Sequence, residues 1–448
     1  MSSSNDSAKP KLLLVAYDFP PVTSAGMYRI VGMTKYLQRL GWEITVLTVK
    51  DTFVHKTEAS LKMIPAGVRV LRTSSFEFRR FARSVTARIR GTRDLEGRET
   101  ASSGGLRELV SQALELVFRL IDKMFRFPDI KAGWFVPLFF NAWRVLGRER
   151  FDVVLSSSPP HSLHLPLLCL RKLKYFRWVT DFRDPWTVPE RTESVTLGLR
   201  VRQAMEKWVI SKCDFVVANT RGNRDALVRK FGSAIEPRIT VVTNGLDLEL
   251  DSPNRNGETE RLECDFVYVG EVYPGMLDVY IDALRLIRDQ GIHRIPRLWV
   301  YGETPSSVVL GPIRERALDE WIVFKGRVPY NIGRRIVREA KALLLLLPHR
   351  KGDETWVPSK LYSYLFSPAP ILALVPEGDV SRVLEETGRG LTVGMTRSEE
   401  VAEAIVAFLG SIKGGTIQSK GNQEEIQGYR MDAVMTRLDD VLRHCMVS

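Results

Sequence analysis

Cysteine is scarce in this sequence. Four occur in 448 residues, at Cys169, Cys213, Cys264 and Cys445, and none belongs to a C-x-x-C pair. Spacing this wide argues against a disulfide framework or a zinc site and fits a reducing compartment. Long apolar runs are missing too: no uninterrupted stretch approaches the ~20 residues of a membrane span. The start, "MSSSNDSAKPKLLLVAYDFPP", lacks a charged opening, and its apolar run Leu12–Tyr17 is too short for a signal peptide. The expectation is a cytosolic protein. No internal repeat and no recognised nucleic-acid-binding module are present, so nucleic acid is not an expected partner. Acidic residues fall short of basic ones, 53 against 65, leaving a net charge of +12. That excess favours anionic partners.

What is present is alternation. "KLLLVAY" precedes an amphipathic segment, Met27–Leu40, and then "WEITVLTV"; "FDVVLSSS", "FRWVTDF", "CDFVVANT" and "ITVVTNG" follow. Strands apolar on both faces, separated by helical patterns, predict a parallel sheet covered by helices. After a polar stretch near residues 246–262 the pattern restarts with "DFVYVG", "RLWVYG", "WIVFKG", "ALLLLLP" and "PILALV". The reading is α/β, with a first domain over 1–250, a second over 251–425 and a terminal helix over 426–448. Met431, Val434, Leu438, Val441 and Leu442 give that helix an apolar stripe.

Residues 69–148 read as an insertion. Nine arginines crowd Arg69–Arg98 against Glu77, Asp94 and Glu96. The amphipathic "LRELVSQALELVFRLIDKMFRF" and the aromatic "GWFVPLFFNAW" come next. A basic, aromatic-rich surface suits an anionic membrane face, so a peripheral position on a membrane is a second expectation.

Candidate chemistry gathers where strands end, since ligands of doubly wound domains sit at the carboxyl ends of strands. Gly26, in "DFPPVTSAGMYRI", stands where a helix N-terminus could face a phosphate. His161 and His164 follow "FDVVL" and are acceptor-side candidates. Asp181, Arg183 and Asp184, in "DFRDPW", either pair with one another or face a polar ligand in a cleft. In "VPSKLYSYLFSPAPILAL", Ser359 reads as an N-cap, which places Lys360 and Leu361 in the first helical turn. A cation there opposes the helix dipole by roughly 0.3–1 kcal/mol, which a bound anion would reverse.

Taken in order, "YDFPPVTSAGMYRI", "PDIKAGWFVP", "FDVVLSSSPPHSLHLP", "VTDFRDPW", "TNGLD" and "VPSKLYSYL…PILALVPEG" resemble the retaining family-4 glycosyltransferases, more narrowly a bacterial branch with an R-D-P-W motif. The resemblance implies a GT-B architecture: two Rossmann-like domains across a cleft, the C-terminal helix crossing back to the first. It implies a nucleotide-sugar donor on the second domain, a glycan or lipid-linked acceptor on the first, and no cofactor or obligatory metal. No D-x-D motif is placed as a metal clamp. Gly26, Gly270, Ser359, Lys360 and Leu361 then fall on the donor's diphosphate and sugar, Arg327 near the nucleobase, and Asp181, Arg183 and Asp184 beside the transferring sugar. Lys360 would meet the diphosphate charge.

The departures are specific. Two glutamates that the family often carries eight positions apart are here Thr355 and Ser363, with Glu354 one residue out of register. Met276 and Leu277 stand where a basic residue is usual, and Pro368 replaces a glycine. These departures leave an alternative: a catalytically degenerate subunit that binds a partner enzyme or glycolipid. A further alternative is another nucleotide-sugar enzyme on the same fold, such as a hydrolysing epimerase, whose expected paired carboxylates and histidine are not evident in the second half of this sequence.

Overall fold

The computed structural model describes residues 9–50, 58–75, 127–187, 196–251, 262–291, 294–348, 352–416 and 420–448. Seven parallel strands form the first sheet: β1 (Lys11–Ala16), β2 (Glu43–Val49), β3 (Arg69–Thr73), β4 (Val153–Ser158), β5 (Trp178–Phe182), β6 (Phe215–Ala218) and β7 (Ile239–Val241). Their order is β3-β2-β1-β4-β5-β6-β7. Six parallel strands form the second: β8 (Phe266–Val269), β9 (Leu298–Tyr301), β10 (Ile322–Phe324), β11 (Leu343–Leu346), β12 (Ile371–Leu374) and β13 (Gly390–Val393), ordered β10-β9-β8-β11-β12-β13. Both are doubly wound, so each strand buries alternate residues in different layers. Leu13 and Val15 of β1 enter one core, while Leu12, Leu14 and Ala16 enter the other.

The first sheet is covered on one side by helices Phe135–Arg148, His164–Leu173, Leu197–Lys212 and Arg221–Phe231. On the other side lie Ala25–Arg39 and the terminal helix Met431–Val447. All five apolar residues expected of the terminal stripe are buried there. Each contributes about 1.5–3 kcal/mol by leaving water, so the last seventeen helical residues fasten the chain end to the first domain. The chain leaves and re-enters that domain at one point. Leu246 accepts from the Met431 amide (2.9 Å) and donates to the Tyr429 carbonyl (2.9 Å).

The stretch read as an insertion is corrected at both ends. Arg69–Thr73 is edge strand β3, paired with β2, and Phe135–Arg148 is a regular sheet-covering helix that buries Leu138, Ala142 and Leu146. Arg79, Arg80, Arg83, Arg88, Arg90, Arg93 and Arg98 lie outside the described residues, as does the amphipathic segment that follows them. Among the described residues, no helix is long and apolar enough to cross a membrane.

Candidate functional site

The carboxyl ends of both sheets face each other. Tyr28, early in the helix after β1, stacks on Tyr330, which opens helix Tyr330–Glu339 of the second domain; the ring centroids lie 4.5 Å apart with planes at 24°. At the other end of the cleft Thr220 donates to the Thr355 carbonyl (3.0 Å), and the Gly222 amide donates to both oxygens of Asp379 (3.1 and 2.9 Å). Thr220 caps helix Arg221–Phe231, so a carboxylate of one domain sits at the positive end of a helix of the other. Burial nonetheless raises the Asp379 carboxyl above its ordinary range, against the pull of Thr220, Gly222 and Arg382.

On the first-domain wall, Ser24 caps the helix by accepting from the Met27 amide (3.1 Å) and donates to Asp18 (2.9 Å). Gly26 leaves room for Arg183: a Cβ there would lie 1.9 Å from the guanidinium. Arg183 in turn reaches Asp184 at 3.5 Å, with both partly exposed. This half of the "DFRDPW" cluster stays accessible beyond the carboxyl end of β5.

Asp181 does not. It was expected against the transferring sugar, yet it is fully buried. Its oxygens accept from Arg29 Nη2 (2.8 Å) and Nε (3.1 Å) and from Ser157 (2.6 Å). Arg29 continues to the carbonyls of Val242 (3.0 Å) and Thr243 (2.7 Å). The carboxylate thus ties the ends of β4 and β5 to the helix after β1 and to the loop after β7. A charge with every neighbour a donor persists in the core without a ligand.

His161 and His164 are corrected as well. His161 stacks on Trp186 (5.4 Å, 12°) and Phe182 (5.9 Å, 23°). Burial and the Arg183 charge pull its imidazole down to about 3. His164 is fully enclosed, bonded to Ser156 through Nδ1 at 2.8 Å, and is held well below its ordinary value by burial and then by His161. Both are neutral parts of an aromatic core rather than acceptor ligands.

The second-domain wall is built around Lys360. Helix Ser359–Leu365 is capped by Pro358, so Ser359 is its first residue and provides no side-chain cap. Leu361 is corrected too: its side chain is in the core, and its amide donates to the Pro358 carbonyl (3.0 Å). Lys360 Nζ lies 3.7 Å from the Tyr268 ring centroid and donates to the Tyr268 hydroxyl. The residue keeps some solvent access, but its surroundings desolvate the ammonium and draw it down to about 7, Glu271 acting in the opposite sense. Gly270, at φ 141°, is required: a Cβ would lie 2.5 Å from Nζ. A Cβ on Gly302 would lie 2.1 Å from the Gly270 carbonyl, so two bare strand ends adjoin the lysine.

Arg327 is exposed and pairs with Glu303 at 3.1 Å; its charge also reaches Tyr28. Glu354 is exposed on the short turn Asp353–Thr355. Ser363 is turned into its own helix and donates to the Lys360 carbonyl (2.8 Å). The Arg29–Asp181 pair, the Tyr28–Tyr330 stack and the Gly222–Asp379 contact are absent from the sequence reading. Only Gly302 left a sequence signal, a glycine directly after an apolar strand.

Comparison with known proteins agrees with this architecture. Residues 101–250 match the model of Glycosyltransferase Family 4. No curated protein matches the sequence. Among solved structures, sucrose-phosphate synthase from Thermosynechococcus elongatus is 14% identical, with a TM-score of 0.62 over 98% of this chain and 100% of that one. HepE from Anabaena, in complex with UDP and glucose, gives the same identity and TM-score over 97% and 100%. A TarM variant from S. aureus, in complex with fondaparinux, α-GlcNAc-glycerol and UDP, is 11% identical with a TM-score of 0.60 over 97% and 99%. The chain is a two-domain GT-B protein whose residues 101–250 are similar to Glycosyltransferase Family 4.

Proposed function

We propose that this protein is a retaining, metal-independent glycosyltransferase. It moves a sugar from a nucleotide-sugar donor to a glycan or lipid-linked acceptor in bacterial polysaccharide or glycoconjugate synthesis. The observation that carries the reading is Lys360, an ammonium drawn toward neutrality against two side-chain-free strand ends in the interdomain cleft. A diphosphate placed there restores its charge, and the lysine then meets the negative charge that develops on the leaving group. Gly270 and Gly302 allow the donor to approach backbone. Arg183 and Asp184 stand opposite, with Gly26 leaving the guanidinium its place, and Asp181 acts as a positioning residue through Arg29. On this reading Arg327 takes the nucleobase and Glu354 the sugar. The family match over residues 101–250 and the UDP-bound HepE and TarM structures support a nucleotide-sugar donor.

Thr355 and Ser363 favour a second reading, a degenerate GT-B subunit that binds a partner enzyme or glycolipid. Ser363 is committed to a backbone carbonyl and Thr355 lies at the interdomain contact. One experiment separates the two: incubation with UDP-, GDP-, dTDP- and CMP-sugars, scoring donor hydrolysis against Lys360→Ala. Hydrolysis of one donor that the variant loses supports the enzyme. Binding without turnover supports the second reading, and the absence of both hydrolysis and binding with every donor overturns the enzyme.

A further inference from the structure

Helices Phe135–Arg148, His164–Leu173 and Leu197–Lys212 lie side by side on the first sheet. Each already buries an apolar stripe, yet their outer faces are apolar as well. Val136, Phe140 and Trp143 are exposed at helical spacing on the first helix. Leu197, Val201 and Trp208 repeat that arrangement on the third, and Leu173 and Tyr175 stand exposed at the end of the second. The spacing gives each outer helix an exposed apolar stripe rather than scattered side chains, and a monomer rarely leaves such stripes on adjoining helices to water.

The charge on this flank has one sign. The exposed charged residues of the three helices are Arg144, Arg148, Lys172, Arg200, Lys207 and Lys212. Their single carboxylate, Glu206, is buried against Lys230. Protein interfaces are depleted of lysine at their centres, whereas here Lys172 lies over the Trp208 ring at 5.7 Å. Tryptophan and tyrosine interleaved with lysine and arginine match the headgroup region of an anionic bilayer: rings among the glycerol backbones, cations on the phosphates.

We propose that this three-helix flank docks the protein on an anionic lipid bilayer. The helices all begin at the carboxyl edge of the sheet, two after β4 and β5 and one leading back to β4. Docking along the flank therefore brings the rim of the interdomain cleft, near Val136 and Leu197, to the membrane surface. None of the residues named on this surface belongs to the arginine-rich stretch Arg69–Arg98, and the docking does not depend on which donor the cleft takes.

The test is flotation of the full chain with vesicles of phosphatidylcholine, alone or mixed with phosphatidylglycerol. The protein is expected to float only with the mixed vesicles at low salt and to be released as salt rises. Arg200→Glu with Lys207→Glu should lower partition at least about tenfold, and Arg200→Ala with Lys207→Ala less so. Brominated lipid should quench tryptophan emission, less in Trp208→Phe. Stabilisation by UDP should be unchanged in every variant, which keeps a failure of docking apart from a failure of the donor site. Flotation equal to wild type in the charge-reversed protein overturns the proposal and points to Arg69–Arg98. A wild type that stays soluble also overturns it, with the flank then covered by residues of its own chain or, if light scattering gives a dimer, by a second copy.

Discussion

Lys360 Nζ rests over the Tyr268 ring, 3.7 Å from its centroid, and no carboxylate pairs with it among the described ion pairs. Its folded value, about 7, is below the unfolded 10.5, so between those pH values the unfolded chain binds the extra proton. Stability of the ligand-free protein therefore rises with pH across that window, and the cost of the charged lysine is full below it. Lys360→Met should be more stable than wild type at pH 6 by roughly 1–3 kcal/mol, and the gap should close by pH 10. Denaturant titration at both pH values checks this; a gap that stays constant refutes the depressed lysine.

The same lysine predicts a proton uptake. A diphosphate favours the ammonium, so UDP binding near pH 7.5 should draw in a fraction of a proton per site. Calorimetry in buffers of different ionisation enthalpy reads it directly. Lys360→Ala should bind without uptake and lose most of the UDP stabilisation, about 2.7 kcal/mol at 100-fold over the dissociation constant in wild type. Uptake that persists in the variant assigns the proton to another group.

Asp181 and Arg183 are separated by one residue and should behave in opposite ways. Asp181→Asn breaks a fully buried ion pair and leaves Arg29 uncompensated, which costs about 3–5 kcal/mol. Arg183→Ala removes a partly exposed guanidinium whose described ion pair is with Asp184 at 3.5 Å. It should melt close to wild type while transfer falls at least about tenfold, equal to ~1.4 kcal/mol. Thermal melts beside donor turnover decide it, and equal destabilisation by both would make the whole cluster structural.

His161 gives a prediction of the opposite kind. Folded, its imidazole titrates near 3 rather than 6.5, so the unfolded state takes the proton first and acidification between those values costs stability. Its Nδ1 is buried without a hydrogen-bond partner. His161→Phe keeps the stack on Trp186, removes that orphan atom and abolishes the acid-sensitive slope from this site. The variant should be at least as stable as wild type at pH 5, measured by urea titration, and should retain donor turnover.

What could be read in the sequence follows burial. Strands covered on both faces, such as "KLLLVAY" and "ALLLLLP", announce themselves as apolar runs, and β1 and β11 are where they were expected. The two strands missed, β3 "RVLRT" and β13 "GLTV", are both sheet edges, the first partly and the second mostly exposed, so neither carries a run. The site divides in the same way. Lys360 could be singled out because a cation in a first helical turn leaves a local mark, and Gly270 through the family resemblance; the fold sets the two side by side. Asp181 could not be assigned, since its partner Arg29 lies 152 positions away and only the fold unites them. His161 and His164 look like ligands in sequence because histidine is usually polar, whereas here three aromatic rings surround them.

The two domains meet tightly enough at Gly222 for one methyl group to test the closure. Gly222 sits in the first turn of helix Arg221–Phe231, where alanine ordinarily gains up to ~1 kcal/mol over glycine. Here a Cβ would lie 2.4 Å from Asp379 Oδ2 and 2.8 Å from Thr355 Cγ2, both in the other domain. Gly222→Ala must therefore displace Asp379 and Thr355, loosening the hydrogen bonds that join the domains at this end of the cleft. The Tyr28–Tyr330 stack at the far end, worth about 0.5–1.5 kcal/mol, is too weak to hold them closed alone. Small-angle scattering should show a larger radius of gyration for Gly222→Ala than for wild type, with further opening in the double variant Gly222→Ala/Tyr330→Ala. Donor affinity should fall in the same order, because the proposed donor site draws Gly26 and Arg183 from one domain and Lys360 from the other. A Gly222→Ala protein that is more stable, equally compact and equally tight for UDP would show that the contact relaxes locally and that closure does not depend on it.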